Sequence, residues 1–264
     1  MRIYNGLTRV EVRTELINQE KFVRYQAIFP SSLSHGTLVQ EIPFGAIERP
    51  QEQEFPAQNW VDYADGKRGL ALLNRGIPGN SVIDGTLTLS LMRSTNLAEY
   101  PIVRGNEPGV GSDSGLGVAK HYTLDYALIP HTGDWRSAKL WRAGMEFNNP
   151  LIAHTVSTHH AELPKTWGLL EISQDHVVLS ALKPGNDGTT VLRVYEAAGT
   201  LAARVRVTFA RKIEQVHESN LIEDPEAELP TDGDGFTFDL KPFEIKTFKF
   251  HVRQEATPNA ERRH

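Results

Sequence analysis

The sequence predicts an all-β protein built from packed antiparallel sheets. Short segments rich in β-branched and aromatic residues recur along the whole chain, the composition of half-buried strands. Turn signals such as "IDG", "KPG", "NDG", "AAGT" and "TDGDG" separate these segments. The 15 prolines and 21 glycines are scattered, a distribution that breaks long helices.

Taken in order, "TRVEVRTELI" alternates charged and apolar residues with the period of a strand that has one buried face. "KFVRYQAIFP" follows after "NQE", a hairpin-like spacing. Next come "GTLVQEIPF", "RGLALLN", "GTLTLSLMR" and "HYTLDYALIP". One helical segment is expected within "GDWRSAKLWRAGMEFN", although Trp135, Ala138, Leu140 and Trp141 are loosely spaced for an apolar face. "HTVSTHHAELPKTW" (154–167) is polar, lacks alternation and reads as a linker. From about Leu169 to Val252, roughly five to six strands are expected, the size of a small sandwich. They are "GLLEIS", "HVVLSALK", "TVLRVYEA", "ARVRVTF", "GFTFDL" and "EIKTFKFHV". The expected organisation is a first domain over 1–163, a second over 164–252 and a polar, frayed tail over 253–264.

Composition narrows the functional classes. With 264 residues, 39% apolar and 23% charged, the chain can bury a real core. A net charge of -5 gives no basic excess for nucleic acid or an anionic membrane. The absence of cysteine excludes disulfides, thiolate catalysis and cysteine-bound zinc. No apolar run approaches the roughly 20 residues of a membrane span. The opening residues have no signal-peptide core, so a cytoplasmic location is expected.

Several stretches hold chemistry-bearing residues. "HTVSTHH" gathers His154, His159 and His160, but in an extended segment His159 and His160 point opposite ways, so no metal site is expected. Asp232 and Asp234 in "TDGDGFTF" lack the closing glutamate of a calcium loop and read as a hairpin turn. The glycine-rich "GVGSDSGLG" (109–117) is followed by a strand rather than a helix, so it is no phosphate cradle. "PHTGDW" places His131, Asp134 and Trp135 together at a strand end, a combination that suits a sugar site. The alternative is a tryptophan packed under a loop and a histidine bonded to backbone. In "LALLNRGIPGN", Arg75 follows a strand end in a glycine- and proline-rich turn.

The ordered series of motifs resembles the C-terminal β region of glycoside hydrolase family 38, the α-mannosidases. The resemblance is carried by "RYQAIFP", by Phe44, Gly45, Arg49 and Pro50 in "EIPFGAIERP", and by "PAQNWVDYADGKRGLALLNRG". It continues through "GTLTLSLMRS", "LDYALIPHTGDW" and "VVLSALKPGNDGTTVLRVYEAAG", with Lys183, Arg193, Glu196 and Gly199. Asn220 and Glu223 in "ESNLIED", then "LKPFEIKTFKF", complete it.

The resemblance implies an antiparallel supersandwich of the galactose mutarotase-like kind, here a portion of one, followed by a smaller β-sandwich. Nothing in the chain resembles the family's α/β catalytic domain, with its histidine- and aspartate-held metal and aspartate nucleophile, or the three-helix segment after it. The resemblance therefore implies that the early supersandwich strands lie upstream of Met1, and that this chain has no cofactor or catalytic residue of its own. A zinc-type divalent metal would belong to the full-length enzyme. The implied partners are a catalytic domain, on the same or a companion chain, and a mannoside. Arg75, Asp113, His131 and Trp135 are the carbohydrate-cleft candidates, with Arg75 expected on the cleft rim and solvent-exposed. Two alternatives stand beside this reading. One is a free-standing carbohydrate-binding module that uses Trp60, Trp135 and Trp141 as stacking platforms. The other is a mutarotase-like epimerase with His131 and Glu48 as acid and base.

Overall fold

The computed structural model describes residues 1–33, 35–94, 119–158 and 164–253. The chain divides into two compact units, Met1–Ile152 and Ala153–His264. The predicted tail lies, beyond Arg253, outside the described residues.

In the first unit the strands are β1 (Arg2–Ile3), β2 (Val10–Ile17), β3 (Val23–Pro30), β4 (Thr37–Ile42), β5 (Gly45–Arg49) and β6 (Phe55–Pro56). They continue with β7 (Trp60–Ala64), β8 (Arg68–Asn74), β9 (Gly79–Ile83), β10 (Thr86–Ser94) and β11 (His121–Thr132), and helix α1 (Leu140–Asn148) follows. A seven-stranded sheet runs β1-β2-β11-β8-β7-β4-β5, and a four-stranded sheet runs β3-β10-β9-β6. All strand pairings among the described residues are antiparallel, including β2 with β11 and β3 with β10. β2 and β3 therefore form no hairpin, contrary to the spacing of "NQE". The connection carries the chain from one sheet to the other, with Phe22 in a left-handed conformation at φ 58°.

Period-2 alternation builds the core. Val61, Tyr63, Leu72 and Tyr126 from the larger sheet join Val82, Leu87 and Leu89 from the smaller one in one buried cluster. Each such side chain contributes about 1.5–3 kcal/mol relative to exposure. β7 is buried at all five positions, because its other face is covered too. There Trp60 stacks on Trp135 at 5.3 Å, and Trp135 meets Trp141 edge-on at 6.0 Å. Gly144 lets α1 lie on this cluster: a Cβ there would stand 3.0 Å from the Trp60 ring.

β9 is one of several strands that escape sequence recognition, here because polar residues occupy buried positions. β9 buries Asn80, which accepts a hydrogen bond from the Gln40 amide at 2.6 Å, and Ser81, whose hydroxyl lies 2.7 Å from that of Thr88.

Glu41 on β4 is a buried carboxyl that accepts a 2.7 Å hydrogen bond from the Asn59 N–H. Burial pushes it up to about 7, and the Asn59 hydrogen bonds only partly oppose this. The folded chain then keeps a proton that the unfolded chain releases near pH 4.5. Stability accordingly falls as pH rises from about 4.5 to about 7 and levels above that, a loss on the order of 3 kcal/mol. Glu41→Gln is expected to remove this slope, read as urea midpoints across that window. An unchanged slope would refute the assignment.

The second unit contains β12 (Leu170–Ile172), β13 (Val177–Pro184), β14 (Thr190–Glu196), β15 (Ala202–Phe209), β16 (Ile213–Ser219), β17 (Pro225–Glu228), β18 (Gly235–Leu240) and β19 (Ile245–Val252). A three-stranded sheet, β12-β15-β18, and a five-stranded sheet, β13-β14-β19-β16-β17, share one core. Its centre is aromatic: Phe238 and Phe248 lie 4.6 Å apart, and Phe236 and Phe248 4.8 Å apart. Among the described residues the unit has eight strands, where about five to six were expected. β16 was hidden because Gln215 is left-handed (φ 53°) and the register shifts between Glu214 and His217. Its buried residues, Ile213, Val216 and Ser219, consequently fall three apart.

The family-like residues of this unit are structural. Glu196, fully buried, accepts hydrogen bonds from the N–H groups of Ala198, Gly199, Thr200 and Phe243 at 2.8 to 3.1 Å. Gly199, at φ +70°, sits where a Cβ would press to 2.7 Å from the Phe243 ring. Arg193 donates to the Leu221 carbonyl at 2.7 Å, and Lys183 pairs with Glu223 at 2.6 Å, tying down the turn after Asn220.

Candidate functional site

The turn after β8 carries Arg75. Gly76 supplies its left-handed position at φ 71°, which a residue with a Cβ adopts at a cost. α1 anchors the turn from the side: the Asn148 amide donates to the Asn74 carbonyl at 2.9 Å. Arg75 donates to the Phe147 carbonyl, and its guanidinium lies 4.5 Å from the centre of the Phe147 ring. Its Nη1 is 3.6 Å from Asp125. Arg75 is thus on a surface, with its side chain 40% exposed, and is held in place by a ring, a carbonyl and a carboxylate.

Around it lies a cleft of about 560 Å³, whose lining includes Tyr4, Arg9, Glu11, Arg75, Phe147 and Leu151. A smaller recess of about 80 Å³, which also reaches Arg75 and Phe147, adds Arg2, Arg13 and Asp125. Arg13 and Asp125 are register partners across β2 and β11 and form a two-pronged pair at 2.8 and 2.9 Å. The Arg13 hydrogen bond holds the Asp125 carboxyl below the usual range, with smaller help from Arg75 and Arg2. Arg9 pairs with Glu11 at 2.8 Å and lies 5.5 Å from the Phe147 ring. Tyr4, 43% exposed, is an aromatic side chain open to solvent in this cleft.

His131 lies elsewhere, in a structural pair. Its Nε2 is 2.8 Å from an Asp62 carboxylate oxygen, and its Nδ1 is 3.3 Å from the Thr132 carbonyl. The contact spans the sheet from β11 over β8 to β7. It passes above Gly69, the register partner of His131. A Cβ on Gly69 would stand 2.5 Å from His131 Cε1 and 2.8 Å from the Ala64 Cβ, so only glycine leaves room for the imidazole. Burial opposes the charge on His131, but Asp62 outweighs it and raises the imidazole. Burial raises Asp62 too, against the His131 hydrogen bond. With both ring nitrogens engaged, His131 has none left for a substrate. Glu48, on β5, is four strands from β11 in the sheet order, roughly 19 Å at the usual spacing. The acid–base pair of His131 and Glu48 is therefore not assembled.

The tryptophan candidates are corrected likewise. Trp60, Trp135 and Trp141 are 1%, 4% and 5% exposed, with Trp60 stacked on Trp135 and Trp141, from α1, edge-on to Trp135, so none offers a free face to a sugar. Trp135 is the tryptophan packed under a loop. Helix α1 itself begins only at Leu140. The residues before it form a turn in which Asp134 accepts from the Ser137 N–H at 3.0 Å.

Asp113 and its glycine-rich loop, like His159 and His160, lie outside the described residues. Asp232 and Asp234 are both taken up by Arg206, at 2.7 and 2.9 Å. Among the described residues no group of three His, Cys, Asp or Glu side chains could hold a metal, so they do not fit the metal that the family implies. No helix among the described residues is long and apolar enough to cross a membrane. Tyr4, Arg9, Asp125 and Phe147 are among the cleft residues that the sequence did not single out. "MRIYNGLTR" has no alternation to mark it, and only folding brings Phe147 beside the turn.

Two family descriptions match this architecture. The glycosyl hydrolases family 38 C-terminal domain matches residues 1–99, and the glycosyl hydrolases family 38 C-terminal beta sandwich domain matches residues 176–248. The chain carries the C-terminal β domains of glycosyl hydrolase family 38. Among curated relatives, alpha-mannosidase 2C1 of Mus musculus is 27% identical over 257 residues, covering 92% of this chain and 23% of the relative. Alpha-mannosidase G of Dictyostelium discoideum is 29% identical over 230 residues, covering 80% and 19% respectively. The family 38 chain therefore spans about a fifth to a quarter of the length of these relatives. A crystal structure of a family 38 protein from Enterococcus faecalis shares the fold with a TM-score of 0.78 at 19% identity, over 94% of this chain and 29% of that one.

Proposed function

We propose that this chain is the non-catalytic C-terminal β portion of an α-mannosidase-like hydrolase, inactive alone and working in α-mannoside hydrolysis with a separate catalytic portion. The observation that carries the reading is the pair of family 38 C-terminal matches, in order along one chain, together with α-mannosidase relatives of which the chain covers only the C-terminal part. The catalytic portion, on the same polypeptide or a companion, supplies the metal and the nucleophile. The role of this chain is positional. Arg75, fixed by Phe147 and Asp125, stands at the lip and donates hydrogen bonds to oxygens of the bound mannoside. Tyr4, rather than a tryptophan, offers the ring on which an apolar sugar face can rest.

The test is co-expression with the N-terminal portion of an α-mannosidase from which the matching C-terminal part has been removed. Activity on an aryl α-mannoside is expected to return, and Arg75→Ala is expected to lower it by about tenfold, roughly the value of one lost charged hydrogen bond. Co-purification of the two parts without activity would count against the reading.

A further inference from the structure

The turn between β16 and β17 in the second unit is held from three sides and presents apolar side chains to solvent. The Asn220 side-chain oxygen accepts from the N–H groups of Ile222 and Asp224, each at 3.0 Å, an Asx turn. Arg193, itself anchored on the Thr247 hydroxyl at 2.9 Å, donates to the Leu221 carbonyl. Lys183 holds Glu223, whose backbone is left-handed at φ 75°. At the tip of this fixed backbone Leu221 and Ile222 are 59% and 80% exposed. Scattered apolar residues are ordinary on a surface. Two neighbours on an immobilised turn differ, because they lose little further freedom when they dock. The flank of the turn is acidic. Asp224, and then Glu226 and Glu228 on β17, are all exposed, and β17 lies at the edge of its sheet. None of the three has an ion pair among the described residues, and Lys183 and Arg193 already share Glu223.

This charge selects the occupant. A second copy docking about a two-fold axis through the turn brings the same carboxylates, and an anionic lipid surface is repelled likewise. The chain's own end, "QEATPNAERRH", supplies two arginines but no large apolar side chain, so it answers the carboxylates and leaves Leu221 and Ile222 uncovered. A protein recess with an apolar floor and a lysine or arginine rim fits both features. We propose that Leu221 and Ile222 dock in such a recess on the catalytic portion of the hydrolase, with Asp224, Glu226 and Glu228 meeting its basic rim. The proposal rests on the reading of this chain as the C-terminal part of an α-mannosidase-like enzyme, since it covers 23% and 19% of two such relatives, and it names the surface by which that part attaches.

The test uses the full chain co-expressed with the truncated α-mannosidase described above. The two are expected to co-purify, and the amides of residues 220–228 to exchange more slowly in the complex than in the free chain. Leu221→Ser combined with Ile222→Ser, both at exposed side chains, is expected to keep the fold by circular dichroism and to weaken association by about tenfold or more. Glu226→Lys combined with Glu228→Lys is expected to weaken it by about tenfold at about 50 mM salt and far less at about 500 mM. Association unchanged in the serine variant, or unslowed exchange over residues 220–228, would overturn the proposal and leave the mannosidase reading in place. Association unchanged in the lysine variant at both salt concentrations would overturn the basic rim. Slow exchange in the free chain that is lost on deleting residues 254–264 would assign the turn to the chain's own end, against the proposal. No association of the unaltered chain would remove both this surface and the reading on which it rests.

Discussion

Glu196→Ala is expected to destabilise the second unit by about 4 kcal/mol or more. The carboxylate is fully buried and receives four backbone N–H groups. Each donor left unsatisfied in a dry site costs about 1–3 kcal/mol, less than additively. The two oxygens also fix the path of Ala197–Thr200 after β14 and tether Phe243 just before β19. Their loss therefore frees two segments at once. Glu196→Gln keeps one acceptor oxygen and is expected to cost about half as much. Native-state hydrogen exchange of the β14 and β19 amides reads the change in this unit directly. A shift below about 1 kcal/mol for the alanine variant would mean that water replaces the carboxylate without penalty.

The second large effect is expected in the first unit. His131→Ala leaves Asp62, 1% exposed, without its partner, and breaking a buried pair in this way costs about 3–5 kcal/mol. Gly69→Ala should reach a similar state by steric means, because its Cβ would occupy the space of the imidazole. If so, the two substitutions share one mechanism, and the double variant costs less than their sum. The buried Trp60, Trp135 and Trp141 make urea unfolding followed by fluorescence a suitable readout. The pair also has a pH signature. Because the imidazole is raised in the folded state, its contribution is complete below about 6.5, the unfolded value, and is lost as pH rises through the higher folded value. His131→Gln is expected to remove that loss. Strictly additive costs for Gly69→Ala and His131→Ala would show that the bridge over Gly69 is not what the glycine serves.

The fold was legible wherever side chains alternate. β2, β10, β15, β18 and β19 carry a period of two, and β8 was marked instead by its apolar run Leu70–Leu73. It was illegible where buried polar groups replace apolar ones, as with Asn80 and Ser81 on β9, or where a bulge resets the period, as at Gln215 on β16. The sheet assignment of β3 could not be read from a three-residue link, because sandwich topology, not local spacing, decides which sheet a strand joins. In the site, the turn that bears Arg75 was visible from its glycines and proline. Its surroundings were not, since Tyr4, Asp125 and Phe147 reach it from distant parts of the chain. The aromatic candidates failed for a physical reason: a tryptophan at a strand end gains more by burial under a helix than by exposure to solvent. His131 was singled out as a sugar-site candidate, whereas its ring pairs with the buried Asp62. The role of Gly69 beside it depends on the register between β8 and β11, which one sequence does not display.

The most direct test of the account is turnover of an aryl α-mannoside by the purified chain, with zinc, cobalt or calcium added in turn. No hydrolysis above the metal-only control is expected, because the family matches are to C-terminal domains and the chain spans only 23% of alpha-mannosidase 2C1. Hydrolysis by the chain alone, abolished by a substitution within it, would contradict the account at its centre.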